Sequence, residues 1–342
     1  MIESQNIKMR KKILQIYSYF FAVICLIVIV SMFFSFVLGG YTVFSTKLGI
    51  TEIANPITFF SLFVFGVPLP VFTSATLGEI FSGVWSIYLI LFVIALNGPK
   101  LSVLNAIRCI KKRNLFPFNE NAIITVIVYF SIMLIVFSII ELLQNQAGIP
   151  IGTTPRETPI RSFTMISIAP IIEEVGFRIT LIGGVILVML LGRTNTSRSL
   201  RTLWHPSNYL EQNTSIHPNE YRWPIIFIIL LSGFFFGASH LAYGSSWEIG
   251  KLPSATIAGI LLGWIYFKHG FPAAVMLHWA FNFLPGAYVY FVCAINISIV
   301  TCNQVAESSP LVNAFQAVLL ITGILSIGMV ILNRYSQHIT YQ

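Results

Sequence analysis

Glu173 and Glu174 stand side by side in an apolar run, Met165 to Leu191, in which Arg178 is the only other charge. Ionised groups at membrane depth are costly, so a pair of carboxylates there calls for a reason, usually chemistry or transport. At about 100° per residue on a helix, Glu174 and Arg178 are an i, i+4 pair on nearly one face. Arg178 therefore neutralises Glu174, and Glu173 points about a quarter-turn away without that partner. Desolvation and a neighbouring like charge both favour the protonated form of a carboxyl. A carboxylate tuned towards neutral pH suits a general base that activates water. Gly176 leaves room for the close approach of another helix. The plainer reading is an ion cluster that only fixes helix packing.

Two later runs carry polar intrusions of their own. His240 ends the stretch Phe236-Gly237-Ala238-Ser239-His240, in which Gly233, Gly237 and Ala238 mark a close-packing helix. Alone, such a histidine is as readily a packing residue as a catalytic one. His278 and Asn282 are again i, i+4, so imidazole and amide share one face and aim into one cavity. Two donors side by side suit a developing oxyanion, with an inter-helix hydrogen bond as the plainer alternative. The other histidines, His205, His217, His269 and His338, read as solvated loop or tail residues.

The elements that must position these groups are membrane spans. The 342 residues are 56% hydrophobic and 9% charged, against roughly 25% charged in soluble domains. Several runs exceed the roughly 20 residues needed to cross a bilayer. The fold class is all-α: a polytopic transmembrane bundle of about eight spans with a buried polar site. The spans fall at 13–39, 80–98, 123–142, 162–191, 225–243, 254–267, 271–292 and 311–333, with 254–267 short enough to be tucked inside the bundle. Segment 58–75 is apolar but interrupted by Gly66, Pro68 and Pro70. It reads as a re-entrant or interfacial piece, with an extra span as the alternative. Three regions follow: N-terminal helices over 1–161, a core over 162–292, and a last loop, helix and tail over 293–342.

Eight spans put both termini on one side. That side then holds fifteen Lys and Arg, the other only Lys47, Arg156, Arg161 and Lys251, with Arg178 inside a span. The positive-inside rule makes the termini cytoplasmic, and the net charge of +8 needs no nucleic-acid partner. The first apolar run, too long for a signal-peptide core, reads as a retained helix, and the setting as the plasma membrane of a prokaryote. All 12 acidic residues are Glu, which removes an aspartyl intramembrane protease and weakens Asp-based ion sites. Cys293 and Cys302 flank a short loop and either form a disulfide, if that loop faces an oxidising compartment, or stay free. Sequons stand at Asn195, Asn213 and Asn296, and only the last would lie outside. No internal repeat is visible.

The ordered trio Glu-Glu-x-x-x-Arg, Phe-x-x-x-His and His-x-x-x-Asn, each in its own apolar run, resembles the CPBP intramembrane protease family, which includes the type II CAAX prenyl endopeptidases and bacteriocin-immunity relatives. The resemblance covers roughly Ser162 to Pro285, and Glu173, Glu174, Arg178, Phe236, His240, His278 and Asn282 fill every motif position. It departs in the long polar connection from Gly192 to Pro224. The resemblance implies peptide-bond hydrolysis in a membrane cavity on a membrane-associated peptide or protein. Glu173 and His240 would activate water, His278 and Asn282 would stabilise the tetrahedral intermediate, and Glu174, Arg178 and Phe236 would support them. No cofactor is required on this reading. Zinc on Glu173, His240 and His278 is the alternative, weakened by the lack of a His-Glu-x-x-His pair. Two other functions remain: a non-catalytic immunity or assembly factor on the same fold, and an ion-coupled transporter. Counted along the spans at about 1.5 Å per residue, Glu173 and His240 fall nearer the non-cytoplasmic face and His278 nearer the cytoplasmic one. Either tilt or a buried turn at Lys268-His269-Gly270 must reconcile them.

Overall fold

The computed structural model describes residues 2–98, 100–113, 115–152, 157–190, 196–211, 218–244, 246–296 and 302–340. Helices α1 (Ile2–Ser45) and α2 (Lys47–Glu52) lead into strands β1 (Phe59–Val64) and β2 (Val67–Phe72). Then come α3 (Leu77–Asn97), α4 (Val103–Arg113), α5 (Ala122–Gln146) and α6 (Pro159–Glu174). A π-helical segment, Val175–Gly183, continues α6 into α7 (Gly184–Leu190), and short helices α8 (Thr196–Arg201) and α9 (Pro206–Glu211) follow. The chain ends in α10 (Pro218–Tyr243), α11 (Lys251–His269), α12 (Phe271–Ile295), α13 (Cys302–Glu307) and α14 (Pro310–Thr340).

Among the described residues six helices are long and apolar enough to cross a membrane, within α1, α3, α5, α10, α12 and α14. The other two expected spans are present as the broken rod α6–π–α7 and as α11. The protein is an all-α, multi-pass integral membrane bundle. Its outer surface is lipid-like, with Phe20, Ile27, Phe34, Ile324 and Ile331 all exposed, as a bilayer-facing side must be. The interior is aromatic: Phe36, Phe81, Phe163, Trp279 and Phe283 stack on one another from α1, α3, α6 and α12. Helix α12 is central, packing on α1, α3, α5, α6 and α11.

Segment 58–75 is neither helix nor extra span. It is an antiparallel hairpin with Val64 opposite Val67 and Phe59 opposite Phe72. Phe65 and Gly66 form its turn with φ of 50° and 79°, the two positive values that a tight two-residue hairpin turn needs. Backbone groups alternate between facing the partner strand and facing outward. Counting from the turn, residues 68 and 70 face outward, and both are proline. The free edge of β2 therefore lacks two outward N–H groups, and prolines that look like breakers are where an edge strand tolerates them. The hairpin packs on the π segment, with the Phe65 N–H donating to Thr180 Oγ1 at 2.8 Å. Gly176 faces this hairpin rather than another helix: a Cβ there would lie 2.7 Å from the Phe63 carbonyl oxygen.

Helices α10 and α11 do approach through glycine, as Gly233 and Gly237 suggest. Added Cβ atoms on these two would overlap Ile260 and Thr256, and one on Gly259 would lie 2.9 Å from the Gly233 Cα. The connection at 192–224 also acquires a structural role. Its described part, α8 and α9, covers the turn between α11 and α12. The Phe271 N–H donates to Trp204 O at 2.9 Å, Tyr266 Oη–H to Leu203 O at 2.9 Å and Ser207 Oγ–H to Lys268 O at 3.3 Å. Gly270 makes the reversal at φ 86° and is buried. His205 and His269 are partly buried in this corner rather than fully solvated. The expected turn at Lys268-His269-Gly270 is thus covered by protein. His217 and the sequons at Asn195 and Asn213 lie outside the described residues.

Candidate active site

Three helical turns from three spans build the site. The first is the end of α6 and the start of the π segment. A π-helix is wider than an α-helix and is commonly found at functional sites. Glu174 Oε2 and Arg178 Nε lie 3.0 Å apart, with both side chains fully buried. The Arg178 N–H is angled off the oxygen, so the contact is an ion pair rather than a linear hydrogen bond. The guanidinium also lies 4.8 Å from the centre of the Phe236 ring and 3.4 Å from the Gly259 carbonyl. The expected i, i+4 pairing holds although the backbone there is no longer α-helical.

The second turn is Phe236 to His240 on α10. His240 Nδ1 lies 2.8 Å from the Phe236 carbonyl oxygen. A carbonyl only accepts, so Nδ1 carries the proton and Nε2 keeps its lone pair. The third turn is His278 to Asn282 on α12. His278 Nδ1 lies 2.9 Å from Glu174 Oε1, and its Nε2 lies 3.7 Å from Glu173 Oε2. An ionised carboxylate only accepts, so His278 Nδ1 is also a donor. Both imidazoles pack edge-on to the same Phe236 ring, with centroids 5.0 and 5.7 Å away.

The groups fall into two layers. Glu174 and Arg178 form a dry layer, 0% exposed, and Phe236, 3% exposed, stands between it and the chamber whose wall it joins. Glu173 keeps 18% of its side-chain surface accessible. It shares the wall of a chamber of about 450 Å³ with His240, His278 and Asn282. A second chamber, about 500 Å³, meets Glu173, His240 and Asn282 from the other side, against Met165, Ala169 and Pro285. Four side chains spread over 110 positions of sequence thus converge on one space.

Both chambers reach the connection between α10 and α11, and the first also reaches the segment that follows α5. Their walls there come from Glu141 and Gln144 of α5, from Gly152, and from Trp247 and Lys251. Cys293, in the last turn of α12, and Cys302, at the start of α13, are joined in a disulfide. Sequence reasoning assigned no part to Trp247, Gln144 or Lys251. Lys251 had a visible signal, as one of four basic residues on the sparsely charged side.

Zinc requires ligand atoms at about 2 Å from a common centre. Among the described residues no three His, Cys or Glu side chains come together to hold an ion, while the Nδ1 contacts of His240 and His278 leave Nε2 of each as the atom that would bind one.

Residues 155–284 match the family model described as Rce1-like, type II CAAX prenyl endopeptidase Rce1-like. This stretch coincides with the motif trio and bears out the family resemblance there. It supports a CAAX-type intramembrane endopeptidase in general. No curated protein and no solved structure matches the chain.

Proposed function

We propose that this protein, whose residues 155–284 match the type II CAAX prenyl endopeptidases, hydrolyses a peptide bond inside the membrane by glutamate-activated water. The observation that carries the reading is the meeting of Glu173, His240, His278 and Asn282 in one chamber. Their buried supports, Glu174 and Arg178, stay behind it.

A water between the Glu173 carboxylate and the lone pair of His240 Nε2 gives up a proton to one of them as its oxygen attacks the peptide carbonyl carbon. The carbonyl π electrons move to oxygen. His278 Nε2–H and the Asn282 amide donate to the oxyanion. That role requires a proton on both nitrogens of His278, the Nδ1 proton being held by Glu174. Collapse of the intermediate breaks the C–N bond, and the proton taken from water passes to the leaving amine. One water is consumed for each bond cut.

The substrate is a membrane peptide or a membrane-associated protein segment, of which CAAX-type prenylated ends are one class. Apolar walls at Phe137, Phe281 and Phe63 suit its side chains. The chambers reach Gly152 and Trp247, in the connections after α5 and α10, which a count of eight spans puts on the side with four Lys and Arg against fifteen and with the disulfide. Access is therefore from the non-cytoplasmic face. With native Cys25 and Cys109 replaced by Ser, Glu248→Cys should react with an impermeant maleimide in intact cells and Lys111→Cys only after permeabilisation; the reverse pattern overturns the orientation.

The activity test uses the purified full chain in detergent with an internally quenched apolar peptide. Glu173→Ala and His278→Ala should each lower cleavage by about a hundredfold or more while melting like the parent or showing a retained fold by gel filtration. Unchanged cleavage in both variants ends the hydrolase reading. Deletion of the protein with loss of phenotype, where Glu173→Ala keeps it, assigns instead the non-catalytic role.

A further inference from the structure

Lys251 is the one Lys or Arg that lines either chamber among the described residues, and it lines both, together with Glu173 and Asn282. Its ammonium sits 4.1 Å from the centre of the Trp247 ring. No carboxylate of the described residues pairs with it: Glu174 is taken by Arg178 and Glu173 by His278 at 3.7 Å. Glu141 shares the first chamber's wall without reaching ion-pair distance. A half-buried cation is costly unless an anion comes into contact with it, and the lining of this chamber, in part polar and in part apolar, supplies none at contact distance.

The lysine is also held in place. The Glu248 and Gly250 N–H groups donate to Ile151 O and Pro150 O at 3.0 and 2.9 Å, and the Lys251 N–H to Glu248 O at 2.9 Å. Gln144 Nε2–H donates to Gly250 O at 2.8 Å. The mouth of the chamber is thus a braced rim joining α5, the 149–152 segment and the start of α11. A charge on a braced rim serves recognition better than one on a free loop.

We propose that Lys251, braced on this rim and clamped by Trp247, binds the C-terminal carboxylate of the substrate peptide and so sets which bond lies over Glu173. The proposal rests on the protease reading for the identity of the ligand as a peptide. A carboxylate from an acidic side chain offers the same chemistry, but the apolar walls at Phe137, Phe281 and Phe63 favour a peptide whose only charge is its end.

The test is binding, so hydrolysis plays no part in the readout. The full-length Glu173→Gln protein in micelles is titrated against fluorescein-labelled Leu-Val-Phe-Ala-Val-Leu and followed by fluorescence anisotropy. The peptide is used as free acid, as C-terminal amide, and as an amide with one internal glutamate. A charge-assisted contact implies a preference of roughly tenfold or more for the free acid over the amide. Lys251→Met should abolish that preference and Lys251→Arg should keep it, the latter also showing that the rim tolerates change. Equal binding of acid and amide, a preference that survives Lys251→Met, or no binding of any peptide overturns the proposal. Stronger binding of the internal glutamate than of the free acid overturns the C-terminal assignment. Acid preference without any turnover by the unmodified protein would remove the protease reading and leave this site standing.

Discussion

Glu174 and Arg178 form a fully buried ion pair, and the energetics of such a pair predict a distinctive mutational pattern. Replacing Arg178 by Met leaves the Glu174 carboxylate, 0% exposed, with only the His278 N–H as partner at 2.9 Å. Breaking one side of a buried pair costs about 3–5 kcal/mol. Glu174→Gln orphans the guanidinium instead, leaving it the Gly259 carbonyl at 3.4 Å and the face of Phe236, and a cost of similar size is expected. The double variant Glu174→Gln/Arg178→Met removes both charges at once. Its glutamine oxygen still accepts the His278 Nδ1 proton, and a neutral replacement of a buried pair is often close to neutral. The two single penalties should therefore exceed the double penalty by about 3 kcal/mol or more, against the 0.3–0.5 kcal/mol scatter of independent sites. Denaturant unfolding of the four proteins in the same micelle measures this directly. Additive penalties, or an Arg178→Met protein within 1 kcal/mol of the parent, would show that the pair is not the buried anchor described here.

Other outcomes follow from the same coordinates. Gly176→Ala forces its new methyl against the Phe63 backbone. It should cost about 1–3 kcal/mol by overpacking and raise protease sensitivity in the 59–72 hairpin, which limited proteolysis would reveal. Pro68→Val with Pro70→Thr restores two outward N–H groups on the free edge of β2 and should lower detergent-solubilised yield and promote oligomers on gel filtration; unchanged monomer would refute the edge assignment. Burial, with Lys100 nearby, holds the His205 imidazole below its usual range. The stability it contributes is thus present above the free value of about 6.5 and lost as pH falls through the lower folded value. The parent should accordingly lose melting temperature between pH 7.5 and 5.5 by more than His205→Gln does. Dialysis against a chelator should leave cleavage unchanged, and a loss restored by zinc would replace the glutamate mechanism with a metal one.

The motif trio was legible because each pair repeats at i, i+4 and each lies in its own apolar run, so side-chain direction followed from helical period alone. The hairpin was not, because Gly66, Pro68 and Pro70 look like helix breakers when read singly. Read as a set, they mark a positive-φ turn and two same-edge positions of a strand, bracketed by the β-prone run Phe59–Val64. The cover over the turn between α11 and α12 was not legible either, because the two helices read as spans joined at the membrane surface. Their turn lies instead beneath Leu203, Trp204 and His205, contacts more than 60 positions apart that no local pattern announces. Lys251 escaped for a related reason: its meaning depends on Pro150 and Gln144 closing the rim around it.

The adjacency of two glutamates, odd in an apolar span, has a geometric rationale in the layered site. Neighbouring side chains on a helix diverge by about 100°, so one backbone position delivers one carboxylate to the dry layer and one to the chamber. Glu174, 0% exposed, binds Arg178 and orients His278. Glu173, 18% exposed, meets the space where water and substrate enter. The two should therefore fail differently. Glu173→Gln keeps shape and removes the base, so kcat should fall about a hundredfold or more with stability and peptide binding retained. Glu174→Gln should lower stability by a few kcal/mol and depress kcat through a less constrained His278, and adding Arg178→Met should recover the stability in this variant alone. If the two isosteric changes gave the same profile of stability, KM and kcat, the division into a supporting and a reacting carboxylate would not stand, and the paired glutamates would be a single charge cluster with shared duties.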